Sequence, residues 1–268
     1  MLIVGFVLEL LIMIGTPLAL GVWLRKKWGL PWALFLIGAV TFIASQVVHI
    51  PLNAGLTTLF RQDWIPAGWL PSASSGWQLP FNAVVLGLTA GVCEEMARYL
   101  VLRFWLKDAR SWRQAIVFGA GHGGIESLLI GVLASVTIVS MIVMRSRDPA
   151  AMGMPPETAE LAAQQVAEFW SLPFYMPLLA GAERLMALTL HLALSTLVMR
   201  CFVRNRLWPL FAAIGWHALV DAVAVFVLGT WGEVAVEGVT ALLTLVSIAF
   251  LWVTWRASRA DEFISSKA

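Results

Sequence analysis

Apolar residues run almost unbroken over approximately 2–24, 30–50, 81–106, 114–144, 173–200, 207–229 and 234–255, with short polar stretches between most of them. A helix needs about 20 apolar residues to cross a hydrocarbon core. The pattern therefore predicts an all-α polytopic membrane protein of about seven transmembrane helices. Residues 1–260 read as one integral-membrane domain and 261–268 as a frayed polar tail. Two intervals are longer, 51–80 and 145–172, and read as loops on one side of the membrane. Within the second, Pro155-Pro156-Glu157 opens an interfacial helix running to about Trp170, since proline suits the first turn of a helix.

Composition agrees with the pattern. The chain is 60% apolar and 13% charged, with a mean hydropathy of +0.82, against about 45–50% and 25% in globular proteins. The short loops suit a bacterial inner (cytoplasmic) membrane. Arg25-Lys26-Lys27 follow the first apolar run and no basic stretch precedes it, so this run reads as a retained helix rather than a cleaved signal. Cys93 and Cys201 lie in apolar surroundings and imply no disulfide framework. A net charge of +2 gives no reason to expect a nucleic-acid partner.

Where the basic residues fall sets the orientation. One set of loops holds Arg25, Lys26, Lys27, Arg103, Lys107, Arg110, Arg113, Arg200, Arg204, Arg206, Arg256, Arg259 and Lys267; the opposite set holds Arg61, Arg145 and Arg147. Basic residues concentrate in cytoplasmic loops. The N-terminus is expected outside and the C-terminus in the cytoplasm.

Against this background the ionisable residues inside the apolar runs stand out, because each costs about 2.5–3.5 kcal/mol at the centre of a spanning helix. Glu94, Glu95 and Arg98 interrupt one run, His122 and Glu126 the next, and His191, His217 and Asp221 two later ones. Counted from the nearest cytoplasmic arginine, Glu94, His122, His191 and His217 lie roughly 13–17 Å deep at 1.5 Å per residue. Four helices thus bring a carboxylate and three histidines to one layer. Residues four apart share a helix face, as do Glu94 and Arg98, His122 and Glu126, and His217 and Asp221. Each His-x-x-x-acid pair is either two ligands of one metal or a base with its orienting partner. Glycines at 119, 121, 123 and 124 flank His122 and allow close approach.

Two hydrolytic chemistries fit this layer. In one, a divalent metal activates water and a glutamate takes its proton. In the other, Glu and His act without a metal while His217 and a polar neighbour stabilise the oxyanion. Three histidines at one depth favour a metal, zinc first, with His122, Glu126, His191 and His217 as candidate ligands. Glu183 and Arg184 lie further outward, as a structural pair or gate. Gln46 and His49 sit near the outer surface, and Glu9 is a lone carboxylate.

Glu94-Glu95-x-x-Arg98, Phe118-x-x-x-His122 and His217-x-x-x-Asp221, in this order on three helices, resemble the CPBP superfamily of intramembrane proteases, the CAAX prenyl endopeptidases and bacteriocin-processing enzymes. The wording around them, with His191, looks closer still to the YhfC-like branch of membrane peptidases. The resemblance implies an intramembrane endopeptidase acting on a membrane protein or peptide in the cytoplasmic half of the bilayer. Glu94 or Glu95 would be the general base and His122 its partner or a ligand. His217 and Asp221 would complete the ligand set or the oxyanion site, and Arg98 would hold the second glutamate. The arginine follows one residue sooner than in the common superfamily pattern, and Glu126 and His191 are additional. Those departures favour a metal and weaken any transfer of prenyl-protein substrates. Two other classes compete: a proton- or cation-coupled transporter, for which buried acids and histidines would form a relay, and a non-catalytic scaffold or immunity protein of the same fold.

Overall fold

In lipid, backbone groups find no water and must bond within their own segment, so each apolar stretch folds as a helix. The computed structural model describes residues 1–61, 76–147 and 153–265. Its helices are α1 (Leu2–Leu10), α2 (Thr16–Trp28), α3 (Trp32–Arg61), α4 (Gln78–Phe104), α5 (Trp112–Ser146), α6 (Pro156–Ser171), α7 (Met176–Val203), α8 (Trp208–Trp231) and α9 (Glu233–Ser265). A π-helical turn over Leu11–Gly15 joins α1 to α2, and inside it the Met13 carbonyl accepts a hydrogen bond from Ser127 Oγ at 2.8 Å.

Local chemistry sets several ends. α2 stops at Gly29, whose φ of 67° is left-handed and whose N–H bonds the Arg25 carbonyl. α5 starts with a reciprocal cap between Ser111 and Gln114. α6 begins at Pro156, and α7 and α8 carry a proline in their first turn.

Six stretches are long and apolar enough to cross a membrane: Leu2–Trp28, Trp32–Phe60, Trp112–Ser146, Met176–Val203, Trp208–Trp231 and Glu233–Asp261. α4 is not among them, because Glu94, Glu95, Arg98 and Arg103 interrupt its apolar run. Its 27 residues nonetheless reach about 40 Å.

The structure departs from the sequence reading in two places. α3 does not end before Pro51 but continues through it to Arg61. Side chains on both sides of the proline tie the helix to α4: Asn53 Nδ2 donates to His49 Nε2 at 2.9 Å, and Thr89 Oγ1 donates to Asn53 Oδ1 at 2.9 Å. The remainder of the expected 51–80 loop includes residues 62–75, which lie outside the described residues, as do 148–152 of the other loop. Second, the expected polar tail from 261 does not begin there: α9 continues to Ser265, and its Asp261 pairs with Arg200 at 2.7 Å and Arg204 at 2.8 Å.

Helices α3, α5, α7, α8 and α4 each pack on the next and close into a ring. The α1–α2 segment lies against α5 and α7, and α9 against α7 and α8. α7 is the most enclosed spanning helix, with 61% of its most apolar window buried against 6% for α9. The apolar core, which includes Leu24, Leu102, Ala115, Leu194, Val198 and Leu210, fills the end of the ring beside the basic loops. Above it the ring encloses polar side chains.

Candidate active site

Successive helix positions are about 100° apart, so Glu94 and Glu95 of α4 cannot face the same neighbours. Glu95 is fully buried and paired with the fully buried guanidinium of Arg98. Arg98 Nη2 is 3.7 Å from Glu94 Oε2. One guanidinium thus serves two carboxylates, and Glu94 takes its closer donors from other helices. Gln46 Nε2 of α3 donates to Oε1 at 3.1 Å, and His122 Nε2 of α5 meets Oε2 at 3.1 Å.

His122 is fully buried, edge-on to Phe42 with ring centroids 5.3 Å apart. Glycine makes this packing possible. A Cβ on Gly121 would run into the Phe35 carbonyl of α3, and one on Gly123 would lie 2.8 Å from His191 Cδ2 of α7. Any side chain at either position would push a neighbouring helix away. The glycine cluster is therefore what brings three polar helices within reach of one another.

Partners fix the form of His191. A guanidinium can only donate, so Arg98 Nη2, 2.6 Å away, donates to an unprotonated Nδ1. The proton then resides on Nε2, which donates to Glu126 Oε2. Glu126 Oε1 accepts from Arg184 Nη1 at 2.9 Å, and Arg184 also holds Glu183. On α8, His217 Nδ1 donates to Glu95 Oε1 at 2.8 Å, leaving Nε2 3.5 Å from Asp221 Oδ2.

Glu94, His122 and His191 each present a ligand atom, and these three atoms lie within 4.8 Å of one another. The donor set suits a metal: one carboxylate and two imidazoles match a common zinc ligand set. His122 turns Nε2 toward Glu94 at 3.1 Å, while its buried Nδ1 has no hydrogen-bond partner among the described residues. Glu126 supplies the carboxylate behind a ligating histidine that such sites usually have.

The eight residues taken from the sequence as catalytic or metal-ligating all lie on the ring, in three groups. Glu94, His122 and His191 form the cluster. Glu126 stands behind His191. Glu95, Arg98, His217 and Asp221 form a linked chain on the α4–α8 side. The sequence reading placed Gln46 and His49 near the outer surface, but Gln46 touches Glu94 directly. It missed the relay behind Gln46, in which His49 Nδ1 donates to Gln46 Oε1 at 3.2 Å. The three-residue spacing of Gln46 and His49 on one helix face was the available signal. Arg184 proves to be a partner of Glu126 as well as Glu183.

A cavity of about 590 Å³ opens onto these groups. Glu94, Glu126, His191, His217 and Asp221 line it, and it extends away from the basic loops between α1, α7, α8 and α9 as far as Phe169 and Leu172 at the end of α6.

An all-helical bundle with membrane-spanning segments, enclosing a carboxylate–histidine cluster beside a cavity, defines an integral membrane protein with an internal site suited to a metal. The chain belongs to the YhfC family: the family model described as YhfC intramembrane metalloprotease matches residues 9–244. Uncharacterized membrane protein YhfC of Bacillus subtilis (strain 168) is 30% identical over 239 residues, which are 88% of this chain and 89% of that protein. No solved structure matches the chain.

Proposed function

We propose that this protein is an intramembrane endopeptidase whose metal, zinc in the first instance, is held by Glu94, His122 and His191 in the cytoplasmic half of a bacterial inner membrane. The observation that carries the reading is the convergence of those three donors from α4, α5 and α7 beside a cavity large enough for a peptide. The family match supports the reaction class. The three motifs on α4, α5 and α8 support a place in the CPBP superfamily. The charge distribution supports an N-terminus outside and α4 as a seventh spanning helix.

A divalent metal at such a cluster supplies Lewis acidity, lowering the pKa of water to ~7. The chain's own residues do the rest. Gln46 holds Glu94 Oε1, so the carboxylate keeps one rotamer. Glu126 holds Nε2–H of His191 and leaves Nδ1 as the basic nitrogen. Arg98 donates to that nitrogen and balances the buried charge of Glu95 and Glu94. Glu95 anchors His217 through Nδ1 and turns Nε2 toward the cavity beside Asp221 Oδ2, 3.5 Å away. Asp221, the most open carboxylate of the group, would take the proton of the attacking water and pass it to the leaving amine as the peptide C–N bond breaks. The apolar core on the basic-loop side keeps bulk water from the site, so the substrate enters from the cavity.

The deciding experiment is metal content of the purified protein by plasma mass spectrometry, with His122→Ala and His191→Ala in parallel. Zinc close to one equivalent, falling to background in both folded variants, is the expected result. A folded wild-type protein that takes up no divalent metal on titration would overturn the metal assignment. Glu94→Gln is expected to abolish cleavage of membrane peptides, and retained activity in that variant would overturn the site.

A further inference from the structure

The inner layer uses only part of the cavity. Its outer part is lined by Glu9 of α1, Glu183 of α7, and Glu233 and Glu237 of α9. Counted from the basic residues at the cytoplasmic ends, Glu9 is sixteen positions before Arg25, Glu183 seventeen before Arg200 and Glu237 nineteen before Arg256. Three helices therefore raise a carboxylate to about 24–29 Å, a second layer well outward of the first.

Charge is not balanced there. Among the described residues Arg184 is the one Lys or Arg lining the cavity, and it is committed to Glu126 and Glu183. Glu9 is only 7% exposed, yet no hydrogen-bond or ion-pair partner reaches it among the described residues. Glu237 Oε2 is likewise buried without a partner. In the inner layer Glu95 Oε2 is also without a partner, but every carboxylate there has at least one oxygen on a cationic or imidazole group. A buried acid without a partner is costly to keep, and acids that line the outer part of one open cavity suit a cation that arrives from outside the fold.

Resting on the endopeptidase reading, we infer that Glu9 and Glu237, with Glu183 and Glu233 around them, form a subsite for the ammonium or guanidinium group of a substrate lysine or arginine. Its distance from the site sets the register. On α7, Glu183 and His191 are eight residues apart, about 12 Å along the axis. An extended peptide covers that distance in roughly three to four residues. The basic side chain thus sits three to four residues from the bond that is cut, on its outward side.

The test uses full-length protein in nanodiscs of uncharged lipid, as wild type and as the Glu9→Gln/Glu237→Gln double variant. The probes are synthetic leucine–alanine peptides of about 25 residues, identical except for Lys, Met or Glu at one outer-half position. Affinity is read by fluorescence anisotropy and the cut position by mass spectrometry. Wild type is expected to bind the Lys peptide roughly tenfold tighter than the Met peptide and to bind the Glu peptide weakest. The double variant should bring Lys and Met within about twofold, and Glu237→Lys alone, at a half-buried position, should turn the preference toward the Glu peptide. Equal affinity for Lys and Met in wild type, or a preference that survives in the folded double variant, overturns the subsite. The two readings separate cleanly. A Lys preference lost in the variant, with no peptide cut in the presence of zinc, keeps the subsite and removes the proteolysis; cutting without the preference does the reverse.

Discussion

Two sets of ionisable side chains occupy this bundle, and they are built differently. The inner set, from Glu94 to Asp221, is cross-linked: Glu95 by Arg98 and His217, Glu94 by Gln46 and His122, Glu126 by His191 and Arg184. The outer set around Glu9 and Glu237 has carboxylates and almost no counter-charge. A buried carboxylate that is paired is part of the fold and fails with its partner. One that is unpaired beside a cavity contributes little to the fold and is available to a ligand. The two sets should therefore respond differently to the same kind of substitution.

Arg98→Ala tests the inner set most severely. It leaves Glu95 without its cation and removes the donor to His191, at a cost of about 3–5 kcal/mol for a broken buried pair. A large fall in the denaturation midpoint in detergent is expected; a shift comparable to that of Glu9→Gln would erase the distinction between the sets. Gly121→Ala asks whether the inner set depends on close helix approach. Its Cβ has no room against the Phe35 carbonyl, and overpacking of this kind costs about 1–3 kcal/mol. Thermal unfolding and zinc affinity are expected to fall together, and an unchanged pair of values would mean that α3 and α5 need not touch for the cluster to form.

Glu126→Gln is a milder probe of the same set. Weakening the carboxylate behind a ligating histidine reduces metal affinity about 10–100-fold, measurable by competition with a chromogenic chelator while the protein stays folded. The smallest effect on stability is expected at the outer set. Glu9→Gln keeps the shape and removes a charge without a partner, so its midpoint should match wild type or rise slightly, with the consequence appearing only in substrate preference. A midpoint loss there equal to that of Gly121→Ala would show that Glu9 belongs to the fold.

Much of the site was legible because depth in a spanning helix accumulates at a fixed rise per residue. Counting from the arginines placed Glu94, His122, His191 and His217 in one layer, and the structure brings those four residues, or their immediate partners, into contact. The i to i+4 pairs were legible for the same reason, although His122 and Glu126 do not pair with each other. Glu126 turns instead to His191 and Arg184. Gln46 and His49 read as outer-surface residues because an apolar run that ends before Pro51 makes them the rim of a helix. The helix continues, and both point inward.

The sequence by itself determined that the chain is helical and membrane-embedded, where its apolar spans lie, and which charged residues share a level, since hydropathy and axial rise depend on nothing beyond the segment concerned. Tertiary structure alone decided which way each helix turns about its axis. That rotation sends Glu94 to His122 and its neighbour Glu95 to His217, commits Arg184 to the inner set, and leaves Glu9 facing a cavity. It is set by contacts between helices, such as Gly121 against the Phe35 carbonyl and Gly123 against His191, which exist only once the bundle has closed.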